Sequence, residues 1–318
     1  MKFIILNNNL KRLIQAKSYL WLSILIVFVT VAASAYVLTM DPPKPIIGVA
    51  PSASDLLAMD NDALAVEELS GEKQNYSPLI TGQYDAYISK EAGKYQVTTV
   101  RNAALGEGLS QWLNERKIPN QPAPSGDHFK VLLSVLAMSS MILSLILYRF
   151  YFDDRQGIDQ RIFSSGLSTF SYLSQQVLFT FLLLFTINAL ACGIVLPCFD
   201  LDLSGGLFLD LFVVELFAAN FGMALSTLVK KNQEALLVGT MLSVLTMLLS
   251  GALLAVKEDS LQEQIQPIFP QFYIAKLGSA LDGQVEALSQ SLGVLLLYSL
   301  AFFVIALLMQ KRRIIDWC

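Results

Sequence analysis

The sequence has 318 residues, of which 54% are hydrophobic and only 15% are charged, and its formal net charge at pH 7 is -4. Soluble proteins carry about a quarter of charged residues, so this composition excludes an ordinary soluble domain and indicates a membrane protein. The acidic balance also argues against a nucleic-acid partner, because nucleic acids select basic surfaces.

The chain opens with Phe3–Lys17, in which apolar side chains are interleaved with polar and basic ones. This pattern is typical of an amphipathic helix that lies parallel to the membrane and contacts lipid at its surface. We therefore predict a short interfacial helix immediately before the first membrane span.

Six apolar runs follow, and about 20 apolar residues are enough to cross the hydrocarbon core of a bilayer. In chain order the runs are Tyr19–Met40, Val131–Tyr148, Phe170–Leu196, Leu207–Leu228, Ala235–Val256 and Ser289–Met309. Basic residues before the first run and Ala33-Ser34-Ala35 within it resemble a secretory signal peptide. Because the apolar residues continue past that site to Met40, we expect a retained membrane anchor instead.

Between the first two runs, Asp41–His128 is long enough to fold by itself. It begins with a proline-rich linker and contains short segments rich in strand-forming or helix-forming residues. The predicted strands are Ile46–Ala50, Tyr84–Ser89 and Tyr95–Arg101, and the predicted helices are Ser52–Met59, Ala63–Leu69 and Leu105–Arg116. This mixture predicts a small α+β domain.

Lysine and arginine residues cluster before the first run, after the second, between the fourth and fifth, and after the sixth. These clusters fall on one side of the membrane if the runs alternate in direction. Because cytoplasmic loops are enriched in basic residues, we expect both termini of this multi-pass protein in the cytoplasm. The α+β domain would then lie on the other side of the cell membrane.

The fourth run contains a carboxylate well inside a span, Glu215, followed by Asn220. An ionised carboxylate in hydrocarbon costs about 3 kcal/mol or more, so Glu215 must face protein or a wet cavity. Glu215 and Asn220 either border a translocation route, or Glu215 forms a helix-packing contact. Small residues spaced by four on the same helix, Ala218, Gly222 and Ser226, permit close helix packing.

The sequence lacks motifs for chemistry within the chain. Its single histidine, His128, has no companion ligands, so we expect no metal site. Cys192 and Cys198 are expected as free thiols, and whether they pair stays open. No segment reads Gly-x-x-x-x-Gly-Lys-Ser/Thr, so we expect that the chain binds no nucleotide or other cofactor and is not an enzyme.

Two segments resemble the ABC-2 family of transporter permeases. In that family, the loop after the second span carries an acidic residue, a glycine, a short helix rich in leucine or isoleucine, and a Ser-Pro pair. The matching residues here are Gly157, Ile158, Ile162 and Ser164. The segment Pro267–Tyr273, followed by Leu281-Asp282-Gly283, is similar to the extracytoplasmic re-entrant hairpin that precedes the last span of the family.

The resemblance implies an all-α membrane protein of the type V exporter fold, with six transmembrane helices and a small α+β extracytoplasmic domain between helices 1 and 2. The implied regions are residues 1–40, with the amphipathic helix and first span, 41–128, the α+β domain, and 129–318, the remaining spans. A cytoplasmic coupling loop at 149–169 and an extracytoplasmic re-entrant segment at 257–288 lie within the last region.

The coupling loop is implied to contact a separate cytoplasmic ABC ATPase. Ile158 and Ile162 are four residues apart and share one helical face, with Phe163 beside them. The implied coupling residues are Asp154, Gly157, Ile158, Arg161, Ile162 and Phe163. The alternative is a helix that lies passively at the membrane interface. The N-terminal helix is by the same resemblance either a second connecting element or a simple anchor.

The implied function is a bacterial permease subunit that moves an amphipathic substrate outward, such as a peptide, antibiotic, drug or lipid. ATP and Mg²⁺ would be bound by the ATPase partner, and a second permease, identical or related, would complete a dimer. The competing hypothesis is a membrane-anchored sensor or scaffold that uses residues 41–128 as a binding module and needs no ATPase.

Overall fold

The computed structural model describes residues 3–39, 46–59, 65–68, 79, 84–91, 94–99, 103–115, 128–201, 203–252, 260–281 and 288–315. The chain divides into two compact units. Met40–Pro124 forms the small unit, and Met1–Thr39 together with Ser125–Cys318 forms the helical unit.

In the described part of the chain, all strands belong to the small unit, and the helical unit contains only helices and their connections. In chain order the elements are α1 (Ile4–Gln15), α2 (Lys17–Thr39), β1 (Ile46–Val49), a 3-10 helix (Pro51–Met59), β2 (Ala65–Glu68), β3 (Ala86–Glu91), β4 (Lys94–Thr98), α3 (Ala103–Glu115), α4 (His128–Leu147), α5 (Arg149–Asp154), α6 (Ile158–Ser164), α7 (Thr169–Cys198), α8 (Gly205–Leu228), α9 (Asn232–Leu249), α10 (Leu261–Ile265), a second 3-10 helix (Gln266–Ile268), α11 (Pro270–Leu281) and α12 (Leu288–Ile315).

Six helices in the described part of the chain are long and apolar enough to cross a membrane. They are Lys17–Thr39, Phe129–Asp154, Thr169–Cys198, Gly205–Leu228, Asn232–Leu249 and Leu288–Ile314. The second of them includes both α4 and α5, because α5 directly continues α4. Each helix overlaps one of the six apolar runs, so the prediction of a mostly helical protein with six candidate spans is confirmed.

The fifth span ends earlier than its apolar run predicts. α9 ends at Leu249, whereas the run continues to Val256, of which residues 253–256 lie outside the described part. Gly251 has a φ of 69°, a left-handed conformation that glycine adopts without strain and that commonly follows a helix end. The prediction of a continuous helix is therefore wrong at residues 250–252, because hydrophobicity alone does not detect this turn.

α8 lies at the centre of the helical unit, where it packs against α4, α7 and α12. At the contact with α4, a Cβ added to Gly222 would collide with Ser144, so only glycine permits this approach. The Tyr148 hydroxyl donates to the Ala219 carbonyl of α8 at 2.9 Å. The small residues predicted to permit close packing are all buried, namely Ala218, Gly222 and Ser226.

α11 lies inside the helical unit and runs alongside α4. Near its start, the buried Gln271 amide donates to the Ser243 carbonyl in the middle of α9 at 3.1 Å. Near its end, Gly278 approaches the backbone of Lys130, in the first turn of α4, so closely that a Cβ would collide with it. The chain therefore enters the bundle before α11 and returns to the end at which α4 begins.

The small unit contains a four-stranded sheet with strand order β2-β1-β3-β4. β1 pairs in parallel with β2 and β3, and β4 pairs antiparallel with β3. Apolar residues of the strands and of the first 3-10 helix form the core, namely Ile47, Val49, Ala53, Leu56, Ala86 and Ile88. Leu109 and Leu113 of α3 pack against this core, so the unit has an α+β architecture.

The predicted helix Ala63–Leu69 is wrong, because β2 occupies Ala65–Glu68. Ala65 pairs with Ile46 and Glu68 pairs with Val49 along β1. Alanine and glutamate favour helices locally, but Val66 packs against the core of the small unit. Sheet pairing and this burial outweigh local propensity. Within the described residues, the other predicted strands and helices are present, and the first predicted helix is a 3-10 helix. The predicted ends at residues 100, 101 and 116 lie outside the described residues.

Candidate coupling site

The segment between the second and third spans, residues 149–168, contains two short helices whose ends are set by glycines. α5 ends at Asp154 and α6 begins at Ile158. Gly157 between them has a φ of 106°, and Gly166 after α6 has a φ of 87°. Both values lie in the left-handed region that glycine adopts without steric penalty. Gly157, predicted as a coupling residue, therefore permits the turn that directs α6.

Asp154 lies inside the protein and is only 2% exposed. Its Oδ1 accepts a hydrogen bond from the Arg12 guanidinium of α1 at 2.7 Å. Its Oδ2 accepts from the Tyr172 hydroxyl at 3.0 Å and from the Gln176 amide at 3.3 Å, both on α7. Within the protein, Asp154 therefore joins α1, α5 and α7, and its implied role in coupling to an ATPase stays a prediction.

Two further hydrogen bonds fix α1 along α7. The backbone N–H of Ile5 donates to the Gln175 side-chain oxygen at 3.0 Å, and the Asn9 amide donates to the Gln176 side-chain oxygen at 2.7 Å. Ile5 and Leu13 on the same face of α1 are buried. α1 is therefore attached to the third span as well as to the segment before α6.

A second buried carboxylate attaches α6 to the last helix. Asp159 is 1% exposed, and its Oδ2 accepts from the Arg313 guanidinium of α12 at 2.6 Å. Burial raises the pKa of Asp159 above its usual value, and the Arg313 charge opposes that rise. Because Asp159 is buried, loss of Arg313 would leave its charge uncompensated, so this pair attaches α6 to α12.

Arg155, between α5 and α6, attaches this segment to the end of α8. Its guanidinium donates to the Ser226 carbonyl at 3.1 Å and to the Val229 carbonyl at 2.7 Å. Burial lowers the pKa of Arg155, yet arginine is basic enough to remain charged. Residues 149–168 thus meet α1, the end of α8 and the end of α12 at one end of the helical unit, which we call the basic end.

The three apolar side chains of α6 that the sequence predicts on one side of the helix differ in their exposure. Ile158 is 46% exposed and Arg161 is also exposed, so both face outward. Ile162 and Phe163 are partly buried and pack against the main core, and the Phe163 ring lies 5.4 Å from the Tyr172 ring. The predicted apolar face is therefore divided between an outward isoleucine and inward side chains that support α6.

Glu215 lies in the interior of the helical unit, where it is fully buried. Its Oε1 accepts from the Ser140 hydroxyl of α4 at 2.8 Å, and Ser140 accepts from the Asn188 amide of α7 at 3.2 Å. Glu215 Oε2 has no hydrogen-bond partner among the described residues. This network joins α4, α7 and α8, which corresponds to the helix-packing alternative for Glu215.

Asn220 lies on the same helix but in a different environment. Its amide donates to the Ser299 hydroxyl of α12 at 2.8 Å. Both residues line a cavity of about 360 Å³ between α7, α8 and α12, whose other walls are mostly apolar. The structure therefore does not bring Glu215 and Asn220 into one hydrogen-bonded site.

Sequence reasoning missed most of the partners that hold the basic end together. Arg12 and Arg313 were recognised only as orientation signals, and Gln175 and Gln176 were overlooked within an apolar run. Polar side chains inside a span are unfavourable unless they are paired, so the two consecutive glutamines were a usable signal. Their partners come from distant parts of the chain and could not be identified by spacing.

Within the described residues, no group of three or more histidine, cysteine, aspartate or glutamate side chains could hold a metal ion.

Comparison with known proteins identifies the family of the chain. A family model described as ABC-2 family transporter protein matches residues 65–308, which is more than half of the chain. No curated protein matched the sequence. The chain therefore belongs to the ABC-2 family of transporter proteins, in agreement with the resemblance found in its sequence.

Proposed function

We propose that the chain is the permease subunit of an ATP-binding cassette exporter, driven by a separate cytoplasmic ATPase. The observation that carries this proposal is the attachment of α6 to several helices by buried contacts. The pairs Arg12–Asp154 and Arg313–Asp159 connect the segment around α6 to α1, α7 and α12. A partner that displaced the outer surface of α6 would therefore displace spanning helices as well.

The basic end is proposed to face the cytoplasm. Arg12, Arg155 and Arg313 lie there, and each donates a hydrogen bond to a different partner. Lys230 and Lys231 follow the end of α8. Basic residues in short loops mark the cytoplasmic side of membrane proteins. With six spans, both termini would be cytoplasmic, the small unit and α10 would lie on the extracytoplasmic side, and α11 would enter the bundle from that side.

The substrate route is proposed to involve a second permease, identical or related. α2, α9 and α12 carry many exposed apolar side chains, which in a membrane must contact lipid or another protein. A route between two permeases would suit an amphipathic cargo such as a peptide, antibiotic, drug or lipid.

A role for Asn220 near that route stays a prediction, whereas the enclosed hydrogen-bond network around Glu215 favours a role in helix packing. ATP and Mg²⁺ are assigned to the ATPase partner.

Reconstitution with the candidate ATPase tests the proposal. Changing Ile158→Asp alters an outward side chain of α6 and should abolish ATPase co-purification and reduce coupled ATP hydrolysis more than tenfold, because it places a charge in the contact. Leu261→Asp is the matched control, since Leu261 is an exposed apolar residue of α10, in the segment proposed to lie on the opposite side. Full activity of the Ile158 variant, or activity without any ATPase, would support the scaffold hypothesis instead.

A further inference from the structure

A concave site of about 640 Å³ lies beside residues 149–168 at the basic end. Five cationic side chains and one carboxylate are among its lining residues: Arg149, Arg155, Lys230, Lys231, Arg313 and Asp153. A cavity of this size with such an excess of positive charge is suited to an anion rather than to an apolar ligand.

Carboxylates of the same chain already compensate part of this positive charge. Asp153 lies 4.0 Å from Arg149 and 3.8 Å from Arg12, and Arg313 is paired with Asp159. Lys230 and Lys231 are exposed, and neither has an ion-pair partner among the residues that the structure describes. The site therefore retains uncompensated positive charge that a bound anion would neutralise.

Arg155 places a positive charge at a fixed position in the lining of the site. Its guanidinium carbon lies 5.6 Å from the Tyr151 ring centroid and 5.3 Å from that of Phe152, and it donates to two backbone carbonyls at the end of α8. These contacts hold the guanidinium in place without neutralising its charge. A preorganised arginine loses less conformational entropy on binding an anion than a free side chain does.

The backbone of α9 contributes a second favourable element. The first-turn residues Asn232 and Gln233 line the site, and the residue preceding the helix, Lys231, makes no side-chain capping hydrogen bond. The N–H groups of a first helical turn bind anions through hydrogen bonds and the helix dipole. The first turn also carries the carboxylate of Glu234, which is absent from the lining and offsets part of this attraction, so the cationic side chains are the larger contribution.

We propose that this site binds the phosphate headgroup of an anionic phospholipid. The site is formed by α5 at the end of the second span, the end of α8, the start of α9 and the end of α12, and the ends of spanning helices lie at the level of lipid headgroups. Basic pockets between spanning helices are suited to anionic headgroups in general. The inference goes beyond the proposed export function and does not require the ATPase.

Native mass spectrometry of the full chain in detergent tests the site directly. Phosphatidylglycerol and phosphatidylcholine are added at equal concentrations, and retained lipid is counted on the intact protein. The double change Lys230→Ala with Lys231→Ala should weaken phosphatidylglycerol retention by about thirtyfold, since each basic residue near a surface contributes about a factor of five. Lys311→Ala with Arg312→Ala is the matched control, because both residues are exposed, basic and absent from the lining.

Selective loss in the first variant, with phosphatidylcholine retained weakly by all proteins, is the expected result. Equal loss in both variants would show general surface attraction and overturn the proposal. Displacement of the lipid by millimolar inorganic phosphate would identify a soluble anion as the ligand instead. A further experiment measures amine-reactive labelling of Lys230 and Lys231 in the presence of phosphatidylglycerol and, separately, of the ATPase. We expect phosphatidylglycerol to protect both lysines. Protection by the ATPase but not by phosphatidylglycerol would reassign the site to the ATPase.

Discussion

Single buried carboxylates determine how residues 149–168 are attached to the rest of the helical unit. Asp154 and Asp159 are both nearly inaccessible to solvent, and each has an arginine from a distant helix as its partner. Removing one member of such a pair leaves a buried charge without compensation, which is more harmful than removing both. These positions therefore offer sharp tests at the scale of one side chain.

Arg313→Ala should lower the free energy of unfolding by about 2 to 3 kcal/mol at neutral pH, the low end for a buried pair because Arg313 is partly exposed. Burial raises the pKa of Asp159, and without Arg313 that pKa should rise further. The folded variant would then bind a proton more readily than the unfolded chain, so its deficit should shrink as the pH falls towards roughly 4. Thermal unfolding in detergent at several pH values measures this.

Arg312→Ala is the control for that series, because Arg312 is exposed on the same helix. It should change stability by less than about 0.5 kcal/mol at every pH. A deficit of Arg313→Ala that grew on acidification would contradict the assignment of Asp159 as the buried partner.

The Ser140 hydroxyl is expected to stabilise Glu215 in the bundle interior. Ser140→Ala removes the hydrogen bond to Glu215 Oε1 and should destabilise the protein by about 1 to 3 kcal/mol, the usual effect of leaving a buried polar atom without its partner. Ser139→Ala is a matched control, since the neighbouring Ser139 hydroxyl bonds only to the Leu136 carbonyl of its own helix in the described structure. Equal unfolding temperatures for the two variants would refute a stabilising role for the network.

At the scale of elements, the contact between α4 and α8 depends on the absence of a side chain at Gly222. Gly222→Ala should destabilise the protein by about 1 to 3 kcal/mol, because the new Cβ meets Ser144 and Tyr148 in a packed interface. Gly193→Ala in α7 should be neutral or slightly stabilising, since no atom lies within 4 Å of its new Cβ and alanine favours helices. Chemical unfolding of both variants gives the comparison.

The sequence predicts helices of this protein better than it predicts their ends or partners. Long apolar runs indicate spans directly, because the thickness of the bilayer sets their length. The end of α9 depends on one left-handed glycine, and β2 depends on pairing with β1, so neither follows from local composition. Gly157, which has a left-handed conformation, was singled out from its motif, whereas the partners of Asp154 required the folded structure.

At the scale of the whole molecule, the basic end brings together segments that are far apart in sequence. α1, residues 149–168, the end of α8 and the end of α12 contact one another there through buried hydrogen bonds. A displacement applied at α6 would therefore be distributed over several spanning helices. Under the proposed function, this arrangement would carry motion from a separate ATPase to the spanning helices.

Site-specific photo-cross-linking in intact membranes tests that route most directly. A photoreactive amino acid replaces Ile158 on the outer surface of α6, and the same residue replaces Leu261 in α10 as a control, in cells that also produce the candidate ATPase. We expect an ATP-sensitive cross-link to the ATPase from position 158 and none from position 261. Cross-linking from position 261 but not from position 158 would contradict the proposal that the ATPase contacts α6 at the basic end.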